Sequence, residues 1–359
     1  MNLDELRAGI DRCDGELVRI LNERIKLALE IGAIKKQAGG DIYVPAREKD
    51  VLAKVSALNA GPLREDSLSA IYREIMSAAL ALEHPLKIAY LGPQSTFTHQ
   101  AARSKFGASV EYCDCETIQD VFEAVEGGSA DYGVVPIENS TEGAVTHTLD
   151  RFMNSSARIC AEIYLGISLN LLARCRREDI VRVYSKQEVF GQCRFWLHRW
   201  LPGVEQIAVS STAKAAEMAA AEEGSAALAS SLAAEIYGLE LIAANVQDMG
   251  TNMTRFLVIG KEFGHATGRD KTSLLFTVRH QAGALYGALQ AFSANGINMS
   301  KIESRPSKGR AWEYMFFVDI EGHIADAPIA AAVKELDEHC STLTVLGSYP
   351  NESAAGVDR

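Results

Sequence analysis

The residues best suited to chemistry near the start of the chain are cations in an unusual place. Leu3, Leu6, Ile10, Cys13, Leu17, Ile20, Arg24, Leu27, Ile31 and Ile34 recur at alternating spacings of three and four, a heptad seam that puts Arg24 in a core position. A guanidinium in an apolar seam is costly unless paired, so the position calls for a carboxylate from another helix or for an anionic ligand. Lys35 lies eleven residues on, close to three helical turns, and shares a face with Arg24 unless it merely snorkels to the surface. Arg47 and Glu48 open the next periodic segment just after Pro45, and Glu83 sits one turn beyond Ala79 on a third. Arg7, toward the far end of the seam, is either a solvated surface residue or a cation offered to a second chain's site.

A second polar set gathers where strands meet helices in the middle of the chain: Ser95-Thr96-Phe97, Glu138-Asn139-Ser140, Ser185 with Gln192, Ser211-Thr212, and Thr254-Arg255-Phe256. Any one of these reads as a cap or turn, because Ser, Thr and Asn are the usual capping residues. Taken together, and with an arginine among them, they describe the ligand crevice of an open α/β sheet.

Three kinds of element must position these groups. The seam predicts one helix of roughly 50 Å at 1.5 Å per residue. A turn at Ala38-Gly39-Gly40 and a break at Gly61-Pro62 then leave two short helices, so residues 1–84 read as an all-α domain. Two short helices cannot cover so long a seam, and pairing of two chains through their first helices follows as an expectation. At His84-Pro85 the pattern changes. Short apolar runs at Lys87 to Leu91, Tyr132 to Pro136, Leu169 to Ala173, Val181 to Tyr184 and Ala226 to Ala229 alternate with amphipathic helices, giving an α/β domain over residues 86–261. The linker Gly264 to Asp270 leads to a strand, helix, strand, strand, helix, strand order over residues 271–349, an α+β ferredoxin-like sandwich. Residues 350–359 read as a disordered tail.

Composition narrows the partners. With 359 residues, 47% of them hydrophobic, the chain can build two or three real cores. A net charge of −11 argues against nucleic acid or an anionic membrane as the main partner, and makes local cationic pockets more telling. The seven cysteines are scattered without a CxxC pair, so reduced thiols in a cytoplasmic protein are expected rather than disulfides or a metal site. The polar start from Met1 to Arg7 and the lack of a long apolar run point to an unexported protein that crosses no membrane.

The first domain resembles the all-helical chorismate mutases, which are intertwined dimers of three-helix chains. Arg7 resembles the arginine that the family donates across the dimer, and Arg24, Lys35, Arg47, Glu48 and Glu83 fall on its other substrate contacts, with departures at Val44 and Ala79. The resemblance implies a pericyclic rearrangement of chorismate, which needs no nucleophile and no cofactor, only a cationic cavity that holds the compact conformer. Lys35 and Glu83 are assigned to the breaking ether oxygen. Glu83 donates only when protonated, so mutase activity is expected to fall as the carboxyl ionises.

The second domain resembles the prephenate dehydratases, on Pro136-Ile137-Glu138-Asn139-Ser140 with Gly143 and Val145, on Ser211-Thr212-Ala213, and on Asn252 with Thr254-Arg255-Phe256. The resemblance implies two α/β lobes around a cleft, Thr254 as donor to the departing hydroxyl, Arg255 as support and carboxylate anchor, and Asn139, Ser185 and Gln192 as substrate contacts. Lys186-Gln187-Glu188 departs from the usual loop. A threonine hydroxyl is a weak acid, so Thr254 is expected to act as a positioned donor that stabilises developing negative charge.

The third domain resembles the regulatory ACT domain, on Gly283-Ala284-Leu285 and Glu303-Ser304-Arg305-Pro306, with Ala282 and His280-Gln281 as small deviations. That implies phenylalanine held at the interface of paired domains, with helix-start amides suiting its carboxylate. For Glu303 and Arg305 alone, a mutual salt bridge is an equal reading. The whole reads as an enzyme that takes chorismate through prephenate to phenylpyruvate under phenylalanine feedback, as a homodimer or tetramer. Arogenate as substrate, or a non-catalytic amino-acid sensor, stands as the alternative.

Overall fold

The computed structural model describes residues 2–38, 45–250, 252–278, 281–306 and 314–353. The Gly39-Gly40 turn, Val44, His280, Trp312 and the end of the tail lie outside them. The chain divides into two compact units, one of residues 1–87 with 105–111, the other of residues 88–104 with 112–359.

In the first unit, helix α1 (Leu3–Ala38) runs for 36 residues, with Asp4 and Glu5 in its first turn and Lys35 and Lys36 in its last, each complementing the helix dipole. Helix α2 (Pro45–Leu58) starts on proline, whose missing N–H costs nothing at a first helical position. Helix α3 (Glu65–Glu83) packs against both. The seam of α1 is left uncovered: Leu3, Ile10, Leu17 and Ile34 are 62%, 60%, 56% and 67% exposed. Residues 105–111 fasten to α3, where the amides of Ala108 and Ser109 donate to Glu74 and to Ser77 Oγ. Gly107 permits this approach, because it sits at φ +76° and a Cβ there would lie 2.5 Å from that of Ser77.

The second unit begins with β1 (Lys87–Leu91), α4 (Phe97–Phe106), β2 (Glu111–Cys115), α5 (Ile118–Glu126), β3 (Tyr132–Asn139), β4 (Gly143–Ala144), α6 (Thr146–Phe152) and β5 (Arg158–Gly166), the ends of β1, α4 and β2 falling in the first unit. A second lobe follows: β6 (Asn170–Ala173), β7 (Arg182–Ser185), α7 (Gln187–Gln192), α8 (Arg194–Trp200), β8 (Glu205–Ala208), α9 (Thr212–Ala221), β9 (Ser225–Ala229), α10 (Ser231–Tyr237) and β10 (Glu240–Ala243). The chain then returns as β11 (Met253–Gly260) between β3 and β5, so the first sheet runs β2-β1-β3-β11-β5 and the second runs β10-β6-β9-β7-β8. The second lobe is therefore an insertion, and its two crossings are joined where the Ile167 amide donates to the Asn252 carbonyl at 2.8 Å. Thr254-Arg255-Phe256 thus opens a strand rather than ending one, since β11 runs antiparallel to both neighbours.

The last region is β12 (Asp270–Val278), α11 (Ala284–Ala294), β13 (Met299–Pro306), β14 (Tyr314–Glu321), α12 (Ala327–His339) and β15 (Cys340–Pro350), with all strand pairs antiparallel in the order β13-β14-β12-β15. Period-2 alternation gives this sheet two dry faces. Leu274, Phe276, Phe316 and Val318 pack under α11 and α12. Leu275, Phe317 and Leu346 point the other way, into one core with Ile137, Ile159 and Leu257 of the first sheet. Gly347 allows that close docking, for a Cβ there would lie 2.1 Å from the Ile159 carbonyl oxygen.

Candidate active sites

Arg24, Lys35, Arg47, Arg73 and Lys105 of the first unit converge on a cavity of about 200 Å³. Arg24 and Lys35 reach it from α1, Arg47 and Glu48 from the start of α2, and Arg73 and Glu83 from α3. Helical periodicity accounts for the convergence, since Arg24, Ala28, Ile31 and Lys35 follow one stripe of α1. Glu48 Oε2 lies 3.3 Å from Lys105 Nζ, and both side chains are mostly buried. Glu83 Oε1 is buried with no hydrogen-bond partner among the described residues. Its carboxyl occupies space that only glycine leaves open, because a Cβ on Gly32 would come within 2.3 Å of it.

Arg7 stands apart. Seventeen residues before Arg24, it lies about 25 Å away along the helix, and its guanidinium is exposed beside Asp4. Arg73, Ser77 and Lys105, which line the cavity, and Gly32, which makes room for Glu83, were not singled out by spacing. Gly32 reads in sequence as an ordinary helix glycine, and Lys105 belongs to a segment far along the chain.

In the second unit, Thr254 is held by a small network where the two lobes meet. Asn139 Nδ2 donates to Thr254 Oγ1 at 2.7 Å and to Asn252 Oδ1 at 2.8 Å. Asn252 Nδ2 in turn donates to Gln192 Oε1 at 3.3 Å. Asn139 Oδ1 accepts from the amides of Thr141 and Glu142 and from the Thr141 hydroxyl. Asn139, expected as a substrate contact, thus holds both Thr254 and the loop that follows β3. With Asn139 as donor, Thr254 Oγ1 serves as acceptor, and its own proton is what it can offer a ligand.

Arg255, expected to anchor a substrate carboxylate, is held by partners within the protein. Adjacent strand residues face opposite ways, so its side chain leaves the sheet on the side away from Thr254. It is 5% exposed, with Nε on Glu162 at 2.8 Å, Nη1 on Asp319 at 2.5 Å and Nη2 on the Tyr349 hydroxyl at 2.9 Å. Burial opposes its charge, but Asp319, Tyr349 and Glu162 overcome this and keep it firmly cationic.

Other expected contacts also have internal duties. Ser185 Oγ, fully buried, donates to the Leu228 carbonyl, and Ser211 Oγ caps α9 by accepting from the Lys214 amide. Thr212 begins that helix, and Phe256 is 2% exposed, so it packs in the core. Ser140 Oγ accepts from the Met253 amide beside Thr254. At the start of α4, Ser95 has φ +70°, its amide donates to His99 Nδ1, and its buried hydroxyl finds no partner among the described residues. Thr96 Oγ1 donates to the Leu91 carbonyl, and Phe97 packs into the second lobe's core. His99 stacks on Tyr90 with ring centroids 4.5 Å apart, and burial, helped by Arg103, draws its pKa down to about 4.

In the last region, Gly283 takes a left-handed conformation at φ +80° to start α11, followed by half-buried Ala284 and Leu285. Glu303 is half-buried and Ser304 exposed on β13. Arg305 does not pair with Glu303; its guanidinium lies 3.7 Å from Asp150 on α6. Lys301, four residues earlier on β13, meets Glu138 of β3 at 2.5 Å.

Three families match in order: chorismate mutase type II over residues 6–84, prephenate dehydratase over residues 88–263 and the ACT domain over residues 272–338. The chain is 52% identical over 353 residues to a bifunctional chorismate mutase/prephenate dehydratase of Aquifex aeolicus, covering 97% of this chain and 98% of that one. It is 47% identical to the protein of that name from Neisseria gonorrhoeae, with the same coverage. Among solved structures, a prephenate dehydratase from Arthrobacter aurescens in complex with L-Phe aligns with 74% of this chain and 90% of its own, at TM-score 0.68 and 34% identity.

Proposed function

The chain belongs to the family of bifunctional chorismate mutase/prephenate dehydratases, and from that premise we propose how its residues divide the work. It rearranges chorismate to prephenate, then converts prephenate to phenylpyruvate. The observation that carries the division is that the cationic cavity and the Thr254 network lie in different units.

In the mutase, Arg24 and Arg47 bind the substrate's carboxylates and hold the compact conformer, so part of the barrier is met by orientation. Lys35 and Glu83 face the ether oxygen as it gains charge, Lys35 as a cation beside it and Glu83 as the carboxyl that closes the cavity from α3. The bare Glu83 oxygen supports that role. Glu48, tied to Lys105, fixes the opening of α2. Arg7 acts in a second chain's cavity, which its distance from Arg24 supports, and the uncovered α1 seam supports a homodimer or a tetramer built from such dimers.

In the dehydratase, prephenate loses carbon dioxide and hydroxide together, and aromatisation drives the step. Thr254 donates to the departing oxygen while Asn139 fixes its hydroxyl, and Asn252 and Gln192 carry that alignment across to the second lobe. Ser95, with its unpartnered hydroxyl, and Thr96 contact the substrate from the start of α4. Phenylalanine, the ligand of the Arthrobacter relative, binds at Gly283-Ala284-Leu285 and Glu303-Ser304 and favours a slower state of the dehydratase. The ties from β13 to Glu138 and Asp150 support such a link. The scattered cysteines support a cytoplasmic setting, and no helix among the described residues is long and apolar enough to cross a membrane.

The test follows chorismate loss by ultraviolet absorbance together with phenylpyruvate formation, with and without phenylalanine. Both reactions should proceed, and phenylalanine should suppress the second. Prephenate that accumulates without phenylpyruvate would contradict the dehydratase assignment, and no chorismate loss would leave the helical unit a dimerisation element.

A further inference from the structure

Behind Thr254, two cations and two carboxylates form a closed cluster that spans two sheets. Arg255 of β11 and Glu162 of β5 come from the dehydratase sheet, while Lys271 of β12 and Asp319 of β14 come from the ACT sheet. Arg255 bridges Glu162 and Asp319, and Lys271 Nζ lies 2.9 Å from both oxygens of Glu162. Tyr349 of β15 completes it: its hydroxyl accepts from Arg255 Nη2 and donates to Ser273 Oγ at 2.6 Å, and Ser273 in turn donates to Asp319. The four charges cancel, and their side chains are between 0% and 5% exposed. Buried ions are tolerated only when such pairing is complete, so removing one leaves its partners uncompensated.

We infer that Arg255 is a positioning residue for Thr254, registered by Asp319, so that the ACT sheet is a structural part of the dehydratase site and not only a carrier of the effector. Arg255 adjoins Thr254 on one strand, and its guanidinium takes carboxylates from both sheets in a fixed fork. Any displacement of β14 relative to β5 must therefore strain Arg255 or shift β11. Thr254 would move with β11 relative to Asn139, to which it is bonded at 2.7 Å. Misplacement of a catalytic group by an ångström is enough to slow a reaction about 10²-fold. The inference rests on Thr254 being the acting hydroxyl, and it makes the cluster a route along which an effector on the ACT sheet can reach that hydroxyl.

The test uses the full chain with Asp319→Asn, Asp319→Glu and Tyr349→Phe, measuring kcat and KM for prephenate and the mutase rate in the same preparations. Asp319→Asn should lower dehydratase kcat tenfold or more with KM within about threefold, Asp319→Glu should restore part of the loss, and mutase activity should not change. Tyr349→Phe removes one hydrogen bond and no charge, and should lower kcat about two- to fivefold; it decides the matter if Asp319→Asn does not fold. A raised KM with kcat intact would return Arg255 to substrate anchoring and overturn the inference, as would unchanged kcat in the folded variants. Thr254→Ala in the same assay separates the two ideas: full activity there would defeat the reading of Thr254 itself.

Discussion

In the helical unit, Arg24, Lys35 and Arg73 line the cavity they serve, whereas the α/β region keeps Arg255 behind its strand and presents Thr254, fixed by Asn139, to the other side. The two chemistries explain the contrast. A pericyclic rearrangement of a dicarboxylate asks for electrostatic clamping of the whole molecule, so cations that line the cavity are useful. Loss of carbon dioxide and hydroxide is driven by aromatisation, so placing one donor matters more than adding charge. The lesson is that a motif arginine can act by holding its neighbour, and the direction of the side chain decides which.

The contrast can be sharpened by removing each device. The largest effect expected is from Thr254→Ala, which should lower dehydratase kcat about 10²- to 10³-fold with KM little changed; a loss confined to KM would make Thr254 a binding residue. Next is acid sensitivity of the α/β region. Burial lowers the pKa of His99 from the ordinary 6.5 to about 4, so between those values the unfolded chain binds the proton that the folded chain refuses. Stability from this group is complete above the higher value and is lost as pH falls toward the lower one, by roughly 3 kcal/mol in all. His99→Gln should flatten that part of a pH series of thermal unfolding, and an unchanged slope would remove His99 as the cause. Smaller is Gly32→Ala, which should cost the mutase about tenfold by displacing the Glu83 carboxyl even though alanine favours the helix by about 1 kcal/mol. Unchanged mutase rates in a folded variant would mean that Glu83 is not needed where it lies.

Periodicity and turn chemistry made much of this architecture legible. The heptad seam marked α1 and placed Arg24 and Lys35 on one face, and the strand, helix, strand, strand, helix, strand order marked the last sheet before its register was known. The direction of Arg255 was not legible, because its partners Asp319 and Tyr349 are 64 and 94 residues away and no local pattern connects them. Gly32 and Lys105 escaped for the same reason: each matters through a side chain brought by another element. Ser211 was ambiguous between cap and ligand, and its bond to the Lys214 amide is that of a cap.

The most direct test of separate sites with opposite uses of charge is Arg24→Gln in the full chain, assayed with chorismate and, separately, with prephenate. Chorismate consumption should fall about 10²-fold while phenylpyruvate formation from supplied prephenate stays at the wild-type rate. A parallel loss of both activities would contradict the account.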